Sequence, residues 1–193
     1  GAEEVRIEVD GPLTISGAVT ALGGGVYITN RRKHAPTLIS GNVFGGEGDV
    51  DVDVIGPLTI SGNLTAGGRD CCFYYGFRYY DVNVTNRAIS NDVGDATTIS
   101  GNILAGRNAR IDVWGALSIT GDVTAISPNI DAVKYFYADS GRVYIHNFGK
   151  ASGNTTTITG NVYGYDYVDI RNYGQINSHL NISGNVTTAN GGI

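Results

Sequence analysis

Two adjacent thiols, Cys71 and Cys72, are the only cysteines among 193 residues, and the chemistry open to them is oxidation. Neighbours in an extended segment point to opposite sides, and a ring closed between them is strained, so a bridge within the pair is disfavoured. With no third cysteine, the oxidised partner is another copy of the chain; intermolecular disulfides are the expectation for an extracellular protein, and free thiols are the other state. Carboxylates that could work as acid and base are Asp51, Asp53, Asp112 and Asp169, each set between Val or Ile residues in a short alternating run. Glycoside cleavage needs two such groups facing one bond. The equivalent runs place Asn83, Arg110, Tyr144 and His146 between them, so no acid–base pair stacks. His34, His146 and His179 fall in different repeats and are each expected on the surface, without the spacing of a metal site. No phosphate loop or serine triad order is present either. The chain is not expected to be an enzyme, and no catalytic residue, metal or cofactor is predicted.

What must position these groups is a repeat. The kernel Ile-(Ser/Thr)-Gly recurs with its glycine at 17, 41, 62, 101, 121, 160 and 184, at spacings of 24, 21, 39, 20, 39 and 24. Two residues before the glycine stands Ile in every copy, and two residues after it Val, Leu or Ile. A short alternating run precedes each kernel, as in Val26-Tyr27-Ile28 or Val143-Tyr144-Ile145, and puts successive side chains on opposite faces of a strand. Each turn then has three short strands, and the 39-residue spacings are single turns with insertions. The sequence predicts an all-β fold, a parallel β-helix or β-solenoid of about seven three-strand turns with uncapped ends. It forms a single domain over 1–193, with loop insertions at about 66–81 and 124–141. At ~4.8 Å per coil, seven turns make a rod of about 34 Å.

Composition agrees. Hydrophobic residues are 41% and charged residues 16%, enough for a continuous core. Twenty-nine glycines fit a fold that turns three corners per coil, where glycine is expected to relax the φ restriction. A net charge of −5 argues against a nucleic-acid partner, and no run of ~20 apolar residues predicts membrane insertion. The absence of methionine and the start at Gly1 suggest a processed N-terminus.

The residue after the kernel glycine is Asn42, Asn63, Asn102, Asn161 or Asn185 in five turns. These side chains are expected to point into a corner and bond from coil to coil as an Asn ladder. Asn63 and Asn185 also sit in glycosylation sequons, where the ladder is the preferred reading. Asn154, in a loop insertion, is the best acceptor for a glycan, and Asn83, outward on a first strand, the second.

The stretch 69–80 gathers both cysteines with Phe73, Tyr74, Tyr75, Phe77, Tyr79 and Tyr80, and a second insertion carries Tyr135, Phe136 and Tyr137. Tyr and Arg are enriched at buried interface anchors, so these aromatics are read as contacts between subunits, with folding back over the chain's own flank as the alternative. The segment 45–49 shares the glycine-rich look of a calcium nonapeptide but has Val50 where that motif needs Asp, and a plain turn is the preferred reading. Only one coil carries an outward Thr-x-Thr pair, Thr157 and Thr159, too few for an ice-binding face.

A solitary solenoid usually covers its terminal coils, because an open coil presents unpaired strand edges. Here the first strand begins at Val5 and the last Val-Thr strand is followed directly by 189–193. Each end is then a template for the other end of a second copy. The expected function is structural: a subunit of an extracellular homopolymer, a sheath, fibre or surface layer of the cell envelope, built by head-to-tail β-edge stacking and disulfides.

The Ile-Ser-Gly-Asn-Val-Thr turns, Tyr-rich loops, cysteine pair and acidic character resemble, over 5–189, the amyloid-like major sheath proteins of filamentous methanogenic archaea. That resemblance implies a self-assembling envelope layer that needs reduction to come apart, with no catalytic residue to carry over. The phrase Gly-Asp-Val-Thr-Ala at 121–125 is similar to bactofilins, which also polymerise through open ends, but those are cytosolic with loop-free turns. A surface adhesin or carbohydrate-binding β-helix, and a polysaccharide-degrading β-helix enzyme, are the alternative functions.

Overall fold

Parallel pairing of short strands is forced by the column pattern: a coil buries its apolar residues only when the next coil sets the same residues above them. In the computed structural model, which describes residues 3–67, 80–88, 94–126, 141–174 and 177–193, this is what the chain does. Among the described residues there is no helix, and the strands form three seven-stranded parallel sheets. The first sheet stacks β1 (Val5–Val9), β4 (Val26–Asn30), β7 (Val50–Val54), β10 (Val82–Asn86), β13 (Asn108–Val113), β16 (Arg142–Asn147) and β19 (Tyr167–Asn172). The second stacks β2 (Leu13–Ile15), β5 (Thr37–Ile39), β8 (Leu58–Ile60), β11 (Gly94–Ile99), β14 (Gly115–Ile119), β17 (Thr155–Ile158) and β20 (His179–Ile182). The third stacks β3 (Val19–Ala21), β6 (Val43–Gly45), β9 (Leu64–Ala66), β12 (Ile103–Ala105), β15 (Val123–Ala125), β18 (Val162–Gly164) and β21 (Val186–Thr188). Coil 1 is β1 to β3, and so on to coil 7, β19 to β21. The parallel β-helix of about seven three-strand turns is therefore the fold of this protein.

Register is strict. Ile15, Ile39, Ile60, Ile99, Ile119, Ile158 and Ile182 face one another in sequence along the second sheet. The five interior members are fully buried, each worth about 1.5–3 kcal/mol of transfer free energy. Small residues, Ala21, Gly45, Ala66, Ala105, Ala125 and Gly164, form the column on the third sheet that leaves room for the isoleucines.

The kernel glycine has a role different from the expected one. Among the described residues the glycines with positive φ are Gly141 and Gly153, so the kernel glycines are not chosen for left-handed backbone. They are chosen for closeness. A Cβ on Gly41 would run into the carbonyl of Gly17, and the same collision repeats for Gly62 on Gly41, Gly101 on Gly62, Gly121 on Gly101, Gly160 on Gly121 and Gly184 on Gly160. The corner is pulled tight by Ile15 O, which accepts from both Ser40 N (2.8 Å) and Gly41 N (3.2 Å), and by Ile39 O, which accepts from Ser61 N (2.8 Å) and Gly62 N (3.2 Å).

Two kinds of corner join the first strand to the second. Coils 1, 3 and 5 turn within a few residues and end the first strand on Val9, Val54 or Val113, facing Leu13, Leu58 or Leu117. Coils 2, 4 and 6 carry longer corners and end it on buried Asn30, Asn86 or Asn147. Each of these amides donates 2.9 Å to a buried threonine hydroxyl, Thr37, Thr97 or Thr156, in the column that leucine fills elsewhere. A longer corner brings backbone polar groups inside, and the amide satisfies them: Asn30 Oδ1 accepts from Arg32 N at 3.2 Å, and Asn147 Oδ1 accepts from Gly149 N at 2.9 Å.

Substituting Gly101→Ala should therefore cost about 3 kcal/mol, the upper end for overpacking, since backbone must separate from backbone. Urea unfolding of the variant measures it; a loss below about 1 kcal/mol, the ordinary range for a surface glycine, would contradict the close-approach account.

Candidate functional site

The outward residues of the first sheet carry nearly all the chemistry. Because register is fixed, they form columns: Arg6, Tyr27, Asp51, Asn83, Arg110, Tyr144, Asp169 in one, and Glu8, Thr29, Asp53, Thr85, Asp112, His146, Arg171 in the next. Over coils 5 to 7 they assemble a cluster that the sequence reading scattered. His146 is 9% exposed and not a surface residue. Its Nδ1 lies 3.5 Å from Asp112 Oδ1 and its Nε2 3.3 Å from Asp169 Oδ2, so it stands between two carboxylates from the coils on either side. Arg110 Nε donates to Asp112 at 2.6 Å, and Arg171 Nε to Asp169 at 2.7 Å.

Aromatic rings close this cluster off. Phe148 stacks parallel on Tyr173 with centroids 5.0 Å apart, Trp114 lies 4.9 Å from Phe148, and Tyr144, Phe148 and Tyr173 all present to His146 at 5.8–6.0 Å, edge to face. The imidazole is thus walled by its own chain, with each carboxylate engaged by an arginine. The arrangement ties three coils together across their outer face, and His146 Nε2 and Asp112 Oδ1 are buried without a well-formed hydrogen bond.

Coil 3 carries a second, acidic group. Burial pushes the carboxyls of Asp49, Asp51 and Asp53 above the ordinary aspartate range. For Asp51 the charges of Asp49, Asp81 and Asp53 add to burial, while the amide of Asn83, donating at 2.7 Å, opposes it. Arg107 gathers part of this charge through a paired contact with Asp81, its Nε at 2.8 Å, and Arg87 lies 3.0 Å from Asp53. Among the described residues no group of three metal-ligating side chains is gathered.

The Asn ladder exists, but its geometry differs from the expected one. Asn42, Asn63, Asn102, Asn161 and Asn185 are exposed, not turned inward. The bond runs from backbone to side chain: Asn63 N donates to Asn42 Oδ1 at 3.0 Å, Asn102 N to Asn63 Oδ1 at 2.9 Å, and Asn185 N to Asn161 Oδ1 at 3.2 Å. Asp122 takes a place in the same chain, accepting from Asn161 N at 2.7 Å, which a carboxylate can do as well as an amide. The glycosylation reading of Asn154 is overturned. The residue is 6% exposed and donates its amide to Asn147 Oδ1 at 3.0 Å, so no room is left for a glycan. Asn83 is outward as expected, with its amide committed to Asp51.

Cys71, Cys72, Phe73, Tyr74, Tyr75, Phe77, Tyr79, Tyr135, Phe136 and Tyr137 lie outside the described residues. Tyr80 is described, and it packs against the core cluster of its own chain, half-buried.

Coils 1 and 7 are more exposed than the five between them. Ile182 and Leu180 are 40% and 41% exposed at coil 7, and Val5, Ile7, Leu13 and Val19 are partly exposed at coil 1. A shallow depression between Ile170, Ile182, Val186 and Ile193 marks the open face of coil 7. Their inward residues are core residues.

The chain matches no family model, no curated protein and no solved structure. Function is therefore argued from its own geometry.

Sequence reasoning missed the His146 cluster and the buried asparagines. A signal for the second was present: Asn alternates with Val at the end of the first strand in coils 1 to 6, and Thr alternates with Leu in step with it. The first had no such signal, since Asp112, His146 and Asp169 meet only once the register is known.

Replacing His146→Leu leaves Asp112 and Asp169 facing each other across an apolar residue, with an expected loss of about 2–3 kcal/mol in urea unfolding; a change under about 0.5 kcal/mol would show that the cluster holds nothing. For Asp51 the sign follows from its raised folded value: the proton is held more tightly folded than unfolded, so stability is present below the ordinary aspartate pKa and lost as pH rises through the folded one. Asp51→Asn is expected to be more stable than the parent at pH 7 and to lose that advantage below about pH 3.5. Unfolding midpoints at both pH values check it, an advantage independent of pH being the contrary result.

Proposed function

We propose that this chain is the structural subunit of an extracellular polymer, a sheath, fibre or surface layer of the cell envelope, assembled head to tail through stacked β-edges and cross-linked between copies through Cys71 and Cys72. The observation that supports the reading is the identity of the columns from coil to coil, which lets a coil of one copy continue the stack of another. Here coil 1 offers Val5, Ile7, Leu13 and Val19 and coil 7 offers Ile170, Leu180, Ile182 and Val186, in the same columns that stack inside the rod. Each edge also leaves a row of backbone N–H and C=O groups for a further parallel strand, and hydrogen bonding and apolar burial then act together.

The cysteine pair supports a lattice that is locked after it forms, because adjacent thiols favour bonds to another chain over a bond to each other. Outward charge on the first sheet is mixed in sign, with short ion pairs such as Arg142 to Asp166 at 2.9 Å, which suits lateral solubility more than a charged ligand.

Purified protein at rising concentration, followed by sedimentation and negative-stain microscopy, should give regular polymers that loosen with reductant. Ile182→Glu, which places a charge in the inward column of coil 7, should hold the protein as monomers, with a lowered thermal midpoint because Ile182 also packs on Ile158. Wild-type protein that stays monomeric at every concentration, oxidised or reduced, would falsify the subunit reading.

A further inference from the structure

Charge is missing from one flank of the rod. The two outward columns of the third sheet carry a single charged residue, Asp122, whereas those of the first sheet are charged in coils 1, 3, 5 and 7. Depletion of charge is the compositional mark of a contact surface. On this flank the column at the strand centres has Phe44, Leu104 and Tyr163 in coils 2, 4 and 6, and Thr20, Thr65, Thr124 and Thr187 in the other four. Large side chains therefore recur every second coil, ~9.6 Å apart, with a small one between each pair. Leu104 is 39% exposed, although Ile103 and Ala105 on either side of it are buried.

Such a surface is complementary to itself. Packed sheets lie ~10 Å apart and interdigitate their side chains, so a large residue on one needs a small one opposite. A two-fold axis running along the strands brings a second copy face to face with each column on its own equivalent and the coils in opposite order. An axis through any coil sets large against large. An axis between coils 3 and 4 sets Leu104 on Thr65, Phe44 on Thr124 and Tyr163 on Thr20. The exposed column beside it selects this axis over the one between coils 4 and 5. Asn161 already donates its amide to Asp122 at 3.1 Å, and here it faces Ala18, which offers no polar group, where the other axis would set it against Asn63. Asp122 faces Asn42, whose Oδ1 accepts from Asn63 N at 3.0 Å and whose amide N–H groups point a donor at the carboxylate.

We propose that two copies pair flank to flank through the third sheet, their rods antiparallel, with Phe44, Leu104 and Tyr163 of each copy seated over the threonines of the other. This goes beyond the stacking reading, because the contact lies on the side of the rod and not along its axis. Six facing coils at ~4.8 Å, four residues wide at ~3.3 Å, give a footprint of about 400 Å² per copy, the low end for a specific interface. One pair is therefore weak, and rods joined in series would add such contacts.

Sedimentation equilibrium of the full chain with reductant present, up to about 1 mM, measures the pair. Thr65→Leu sets leucine against Leu104 of the second copy and should weaken the dimer by about tenfold, although it adds apolar surface. Leu104→Thr should weaken it by about three- to tenfold, and the double variant, which moves the large residue by one coil, should return to within about threefold of wild type. Thermal midpoints show that each variant is folded. Single effects that add, with no recovery in the double variant, overturn the pairing, as does a wild type that stays monomeric throughout. Benzoylphenylalanine in place of Phe44 locates the contact: irradiation should attach it to 123–125 of the second copy, three coils away in its own chain and out of reach in end-to-end stacking. Polymers without that attachment overturn the flank contact and leave stacking in place, whereas dimers that carry it and never lengthen support the contact and overturn stacking.

Discussion

Close approach of backbone to backbone at the kernel glycine is the constraint from which the rest of this structure follows. Each coil sits on the one before it at a point where neither has a side chain, and the carbonyl below occupies the volume a Cβ would need. That contact sets the stacking distance and, because it recurs at one place in every coil, it sets the register too. Once register is set, like residues lie above like, and the isoleucine, valine and alanine columns become a continuous interior. A glycine chosen for backbone freedom could be replaced by asparagine at modest cost, but one chosen for proximity has no substitute.

The buried asparagines show how a solenoid tolerates irregular corners. Where the corner is short, Val and Leu meet and the core stays apolar. Where it is long, backbone groups are drawn inside and an Asn–Thr pair answers them, the amide nitrogen bonded in all three coils and Asn86 Oδ1 left without a partner. Insertion length and core chemistry are therefore coupled through a single column, and the rod can carry loops on alternate coils without losing its stack.

The outer face follows the same logic with charge in place of volume. Register brings Arg110, Asp112, His146, Asp169 and Arg171 into one network across three coils, and rings from Trp114 to Tyr173 shield it. A network of this kind fixes coils against sliding, since a slip would set like charges together. Along the apolar columns, the members in coils 1 and 7 are more exposed than those between them.

The sequence by itself determined the coil, its strand count and its inward columns, because Ile15 and its six equivalents recur at a fixed offset from a glycine and a parallel stack is the one arrangement that buries them together. It also carried the alternation of Asn30, Asn86 and Asn147 with valine, a pattern legible in the letters though its meaning needed the corners. Three things only the tertiary structure decided. The kernel glycines serve proximity and not torsion, the outer Asn ladder faces solvent while Asn154 is sealed inside, and His146 is clamped between Asp112 and Asp169. The physical reason is the same in each case: which atoms come within bonding distance, 20 to 39 positions apart between coils and 7 apart for Asn147 and Asn154, depends on the corner's path and the coil spacing, and neither is written in any one repeat.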